Sequence, residues 1–185
     1  MDKRFRAEIE SVLSRSPLPW DLKHAKLTLK WVKKLVPPVN EAIRIAALCH
    51  DIERAVDGKT EMGLKDISAL AIFKGMHAKR SAEITAGLMV KHGYPKSMAD
   101  EVSRLISLHE SGGDRESDML CSADSLAFFE YNVPLYLARY GEERTREKIR
   151  FMYGRLGAKA RALCRKMEFA DGKIAVLFSR SIAGI

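Results

Sequence analysis

The sequence predicts an all-α protein, a single-domain helical bundle. Three observations carry this. Apolar residues recur at three- and four-residue spacing along nearly the whole chain, the period of an amphipathic helix. A chain of 185 residues fits one domain and can bury roughly 70% of its unfolded surface. No stretch alternates convincingly enough for a sheet, and neither an internal repeat nor a low-complexity segment interrupts the pattern.

The elements follow in order. A first helix is expected over about residues 2–14, broken by Pro17 and Pro19. Asp21 then caps a second helix, LKHAKLTLKWVKKLV, which stops at Pro37 and Pro38. Asn40 caps a third, EAIRIAALCHDIERAV, ending near Asp57 and Gly58. Residues 58–75, punctuated by Gly58, Gly63 and Gly75, read as a loop with room for one short helix. A fourth helix covers about 76–92 and exits at Gly93 and Pro95; a fifth covers about 96–110 and ends at Gly112 and Gly113. A sixth starts near Ser117 and runs to Tyr131. After Pro134 come a short helix and a long charged one, about 142–169, closed by Asp171 and Gly172. The last stretch, KIAVLFSRSIAGI, fits either a helix or an extended tail.

Composition narrows the function classes. With 46% apolar and 30% charged residues, no window approaches the ~20 apolar residues of a membrane span. MDKRFRAEIESVL is charged and lacks the apolar core of a signal peptide. Cys49, Cys121 and Cys164 are isolated, so neither a CxxC zinc knuckle nor a disulfide framework is expected, and the reducing cytoplasm is the expected location. The net charge of +8 is uneven: residues 139–185 hold 12 basic and 5 acidic side chains, against 20 and 19 in residues 1–138. That excess could attract phosphate-rich ligands or nucleic acid, or could simply be a solvated helix face. No aromatics that would stack bases are interleaved there, which disfavours nucleic acid.

The polar residues on the apolar stripes are the informative ones. His24 shares a stripe with Leu27, Thr28, Trp31 and Leu35, and His50 with Ile43, Ala46 and Ala47. His77 lines up with Ser81, Ile84 and Leu88, His109 with Val102, Leu105 and Ile106, and Asp124 with Leu120, Cys121, Ala127 and Phe128. Spacings of three, four or seven turn each polar group inward. Asp51 follows His50 at the end of an almost wholly apolar run, where two polar groups are costly unless their charge is compensated. Imidazole and carboxylate ligands inside a helical bundle suit iron, manganese, nickel, cobalt or zinc, and magnesium less well. His92 differs: it ends the fourth helix, where a cation complements the last carbonyls, and is expected to be structural.

The ordered set His24, His50-Asp51, His77, His109 and Asp124 resembles the HD-domain metal-dependent phosphohydrolases of the two-metal type. CHDIER stands where that family has its His-Asp pair, HAKRSAEIT resembles its H-x-x-x-[SG]-A motif, LISLHE its next histidine helix, and SADSLAFF the segment carrying the final aspartate. The H-x-x-x-S-A form is similar to that of bacterial diadenosine-polyphosphate hydrolases. The resemblance covers about residues 20–130 and implies an HD-type bundle over 1–138, with 139–185 as a basic helical extension packed on it.

By that resemblance His24, His50, Asp51 and Asp124 hold one ion, and His77 and His109 a second, with Asp51 shared. The implied activity is hydrolysis of a phosphomonoester or phosphoanhydride, a nucleotide foremost, by metal-activated water. Asp51, Glu53, Arg54, Lys79 and Arg80 are the expected catalytic residues: the cations meet phosphoryl charge and Glu53 handles a proton. Ser81 and Glu110 are candidates for orienting imidazoles. The sequence reads HDIER where many two-metal members read HDIGK, and no Gly-Tyr-Pro signature of the cyclic-dinucleotide phosphodiesterases follows in residues 52–75. Two other classes stay open: a non-catalytic, metal-stabilised HD module binding a partner or nucleic acid, and an HD-type di-iron oxygenase.

Overall fold

Four helices begin where a side chain satisfies the free N–H groups of a first turn. Asp2 accepts from Arg4 and Phe5 to open α1 (Lys3–Leu13), and Asn40 accepts from Ile43 to open α3 (Glu41–Cys49). Asp114 and Ser117 form a reciprocal capping box for α7 (Arg115–Ala127). Asp171 caps α11 (Gly172–Ile182), so the C-terminal stretch is a helix and Asp171 opens it rather than closing the one before. The remaining elements are α2 (Asp21–Leu35), α4 (Glu53–Asp57), α5 (Ile67–Lys91), α6 (Lys96–Ser107), α8 (Val133–Tyr140), α9 (Glu142–Gly154) and α10 (Ala158–Cys164). This computed structural model describes residues 1–35, 37–58, 60 and 67–185, with backbone alone for 67–71. Among them no strand occurs, and no helix is long and apolar enough to cross a membrane.

The structure differs from the expected elements in ways that bear on the site. The third expected helix is two. After Cys49 the backbone tightens, with Ile52 N–H donating to Cys49 O and Arg54 N–H to Asp51 O, so His50 and Asp51 sit in a turn between α3 and α4. The long helix expected over 142–169 breaks at residues 155–157, where Gly157 N–H donates to Ser122 Oγ at 3.1 Å. The fourth helix begins at Ile67 rather than near 76; a short helix elsewhere in 58–75 would fall largely on residues outside those described.

Between α7 and α8 the helix widens into a π turn, Phe128–Asn132, with Val133 N–H donating to Phe128 O. Pro134 explains it: proline cannot donate to the preceding turn, and its ring would clash with the carbonyl of Glu130 in a regular α-helix. Such wide turns often re-aim side chains at functional sites. Here Asn132 turns inward, 8% exposed.

α2 packs on α3 and α7, α3 also packs on α6, and α5 lies along α6. One core runs through them, with Ile45, Leu48, Val102, Leu105, Leu120 and Leu126 fully buried. Ile149, Tyr153, Leu156, Cys164 and Phe178 belong to the same core, so the basic segment after residue 138 is integral to it. Several of its cations are spent on the fold: Arg150 on Ser181 O, Lys159 on Leu35 O, Arg161 on Gly154 O and Arg165 on the Tyr153 hydroxyl.

Candidate metal centre

His24 projects from α2, His50 and Asp51 from the α3–α4 turn, His77 from mid-α5, His109 from the turn after α6 and Asp124 from α7. The structure brings all six together, each at most 7% exposed. They sort into two adjacent triads, His24–His50–Asp124 and Asp51–His77–His109, whose ligand atoms lie within 4.8 Å of one another in each. The imidazoles form a row: ring centroids are 5.3 Å apart from His24 to His50, 5.2 Å from His50 to His109 and 5.8 Å from His109 to His77.

All four rings are oriented alike. Nδ1 of His24 meets Asn132 Oδ1 at 2.9 Å, that of His50 Ala47 O at 3.1 Å, that of His77 Glu53 Oε2 at 2.8 Å and that of His109 Ile106 O at 2.7 Å. An acceptor at Nδ1 holds the proton of a neutral imidazole there and leaves Nε2 as a lone pair. The four Nε2 atoms face the two aspartates: His24 to Asp124 Oδ1 at 2.9 Å, His77 to Asp51 Oδ1 at 2.8 Å, and His109 to Asp51 Oδ1 at 3.7 Å. His50 Nε2 lies 3.6 Å from Asp51 Oδ2 and 3.7 Å from Asp124 Oδ1, buried and without a hydrogen-bond partner. Facing two carboxylates, that nitrogen is stable only with positive charge on or beside it, a proton or a metal ion. The donor set and the orphaned nitrogen therefore fit a metal ion, and both triads could hold one.

The surrounding charge follows the same logic. Burial alone would raise the Asp51 and Asp124 carboxyls. Arg54, His50 and His77 outweigh it at Asp51, and His24, His50 and Arg155 at Asp124, so both sit well below the usual carboxylate range. Burial, opposed by Glu110 and reinforced by His50 and His77, pushes His109 down to about 4, a neutral ligand at pH 7. At His50 burial also favours the neutral ring, but Asp51 and Asp124 outweigh it and raise the group to about 9. An ion taken up at pH 7 must then displace a proton from His50. Metal binding should therefore release protons and weaken as pH falls below about 9. Calorimetric titration in buffers of different ionisation enthalpy reads this directly. A buffer-independent binding heat would contradict it.

The other expected site residues divide. Arg54 lines the pocket over the centre and pairs with Asp51 Oδ2. Glu53 lies behind His77 and holds its Nδ1; it is 3% exposed and does not line the pocket, so its position is that of an orienting group. Ser81 accepts the Glu53 N–H at 3.3 Å and so supports His77 at one remove. Lys79 and Arg80 are exposed on α5 and do not line the pocket; Arg80 pairs with Asp57 and Glu83 at the surface. Their expected phosphoryl contact does not fit this geometry. His92 is remote from the centre and bonds Glu8 at 2.6 Å.

Three further residues enter from places the periodicity does not mark. Arg155, in the break between α9 and α10, sets its guanidinium 3.2 Å from Asp124 Oδ2 and 3.8 Å from Glu110, and donates to His109 O at 2.5 Å. Asn132 comes from the π turn. Asp21 is not a cap: it lies in the first turn of α2, 2% exposed, and one oxygen accepts from Ser16 at 2.5 Å. Glu110 takes Lys74 at 3.0 Å. Burial would raise its carboxyl, but His109, Lys74, Lys148 and Arg155 hold it down at about 2.

Above the centre opens a pocket of about 720 Å³, counting the space at its mouth. Its lining includes His24, Asp51, His109 and Asp124 of the triads, the cations Arg54, Lys148 and Arg155, and the aromatics Trp20, Phe128, Tyr136 and Tyr140. The Tyr136 and Tyr140 rings lie 4.4 Å apart, tilted by 42°, and the Arg139 guanidinium lies over both Trp20 and Tyr140.

Fold and site together define an all-helical domain built round two buried His/Asp triads able to hold metal. The chain belongs to the family described as Domain of unknown function (DUF4202), which matches residues 6–177 and so spans the basic C-terminal segment as well as the triads. No curated protein and no solved structure matches the chain.

Proposed function

We propose that the chain is an HD-type metal-dependent phosphohydrolase that cleaves a phosphomonoester or phosphoanhydride, with a nucleotide as the best-fitting substrate. The observation that carries this is the pocket: cationic side chains and an aromatic wall open onto the same two triads. A phosphoryl group bound in the pocket has Arg54, Lys148 and Arg155 to meet, and a planar base has Phe128, Tyr136 and Tyr140 to lie against. The order of the six ligands along the chain, similar to that of the HD phosphohydrolases, supports the same reading.

Iron, manganese, nickel, cobalt or zinc suits the four imidazoles and two carboxylates, with magnesium less matched to so many nitrogen donors. When bound, such an ion acts as a Lewis acid and lowers the pKa of coordinated water toward ~7. The chain's own groups do the rest. Asn132, Ala47 O, Glu53 and Ile106 O fix the imidazoles, and the cations neutralise phosphoryl charge.

The test is nitrophenolate release from p-nitrophenyl phosphate and bis-p-nitrophenyl phosphate and the cleavage products of a nucleotide panel, with chelated and metal-reloaded protein, under nitrogen and under air. Release that follows metal content and ignores oxygen is the expected result. Oxygen-dependent turnover would move the assignment to an oxygenase, and a metal-loaded protein inert across the panel would contradict the hydrolase reading.

A further inference from the structure

His109 and Glu110 are neighbours in the chain, and in a regular helix their side chains would diverge by about 100°. They lie instead in the turn after α6, where Gly112 N–H donates to Leu108 O at 2.7 Å, and both line the pocket over the triads. Nearness in sequence makes Glu110 a candidate for orienting the His109 imidazole. The structure gives that place to another group: Ile106 O meets His109 Nδ1 at 2.7 Å. Glu110 Oε1 stands 3.9 Å from Nε2, the nitrogen on the ligating side.

The two oxygens of Glu110 face different ways. Oε2 carries Lys74 at 3.0 Å and Arg155 at 3.8 Å, and these contacts anchor the side chain. Oε1 is the oxygen turned to His109. Around His109 Nε2 there are thus two carboxylate oxygens, Asp51 Oδ1 at 3.7 Å and Glu110 Oε1 at 3.9 Å. Two ligands of one ion, each ~2.0–2.2 Å from it, stand roughly 3–4 Å apart, and both spacings fall in that range. The Asp51–His77–His109 triad supplies one carboxylate for a divalent ion. A second anionic oxygen beside it adds a donor and offsets more of the ion's charge.

We infer that Glu110, turning Oε1 inward, is a fourth protein ligand of an ion held by Asp51, His77 and His109. This rests on the metal reading of the cluster and is independent of whether the protein hydrolyses phosphate.

The experiment loads the chelator-stripped full chain with Co²⁺, whose visible absorption bands report the ligands around the ion and whose uptake reports affinity. Wild type is compared with Glu110→Gln, and the same change is made in the His77→Ala, His109→Ala background. Losing a group that only orients a ligand costs about 10–100-fold in affinity, so losing a donor should weaken one uptake step at least about 10-fold. The visible bands should shift, and the other step should stay within about twofold. In the double-histidine background Glu110→Gln should alter affinity less than about twofold. Equal weakening in both backgrounds would make Glu110 a plain negative charge and overturn the inference. Unchanged bands and affinity would overturn it equally. Should Glu110→Gln fail to fold, Glu110→Asp keeps the charge for Lys74 and Arg155 but withdraws the oxygen by one carbon; shifted bands are again expected, and wild-type bands overturn the inference. A wild type that takes up no ion overturns the metal centre as well, an outcome distinct from a silent Glu110 in a protein that binds metal.

Discussion

Asp51→Ala is expected to lose its metal and any hydrolytic activity together. Asp51 supplies the only carboxylate of the Asp51–His77–His109 triad and faces His50 of the other. Its loss leaves His77 and His109 without an anionic co-ligand within the triad and removes the Arg54–Asp51 contact. Loss of groups that merely orient a ligand already costs about 10–100-fold in metal affinity, so removing the carboxylate itself should cost more than ~100-fold. Asp51→Asn, of the same shape, separates charge from packing. If metal analysis after desalting finds Asp51→Asn loaded like the wild type, Asp51 is not a ligand.

Arg155→Ala should give the largest loss of stability among the pocket variants. It strips a buried cation from Asp124 and Glu110 and a donor from the His109 carbonyl. Breaking a buried ion pair from one side costs about 3–5 kcal/mol, or roughly 6–20 °C in a domain of this size. The sign with metal is the discriminating part. An ion takes over much of the neutralisation of Asp124, so the chelated protein should lose more in melting temperature than the metal-loaded one. Arg155→Lys keeps the charge but not the two-pronged geometry and should recover only part. Equal losses with and without metal would place Arg155 in ordinary packing.

Helical periodicity was enough to turn His24, His77, His109 and Asp124 inward, because each lies on a regular stripe three or four residues from buried apolar neighbours. His50 and Asp51 were legible as a costly pair but not as a turn. AALCHDIERAV keeps its helical pattern through the break, and only the side-chain bond from His50 to Ala47 O and the tightened backbone show where α3 ends. Arg155 was hidden for the opposite reason: Gly154 and Gly157 flank it, yet the charged pattern around them reads as one long helix. Asn132 depends on the π turn that Pro134 forces, which shifts the register by one residue and defeats a count in threes and fours. Lys79 and Arg80 show the limit of proximity in sequence. Lys79, two residues after His77, is carried round to solvent by the helix, and Arg80, about one turn on, reaches outward to Asp57 and Glu83.

Metal stoichiometry decides whether each of the two adjacent triads holds an ion. Protein stripped by chelator and titrated with Zn²⁺ should take up about two ions per chain, one for each triad. The His77→Ala, His109→Ala double variant should take up one, with the His24–His50–Asp124 triad intact. His92→Ala, whose ring bonds Glu8 away from the centre, should match the wild type. A double variant that binds the same number of ions as the wild type, with equal affinity, would mean that Asp51, His77 and His109 hold no ion.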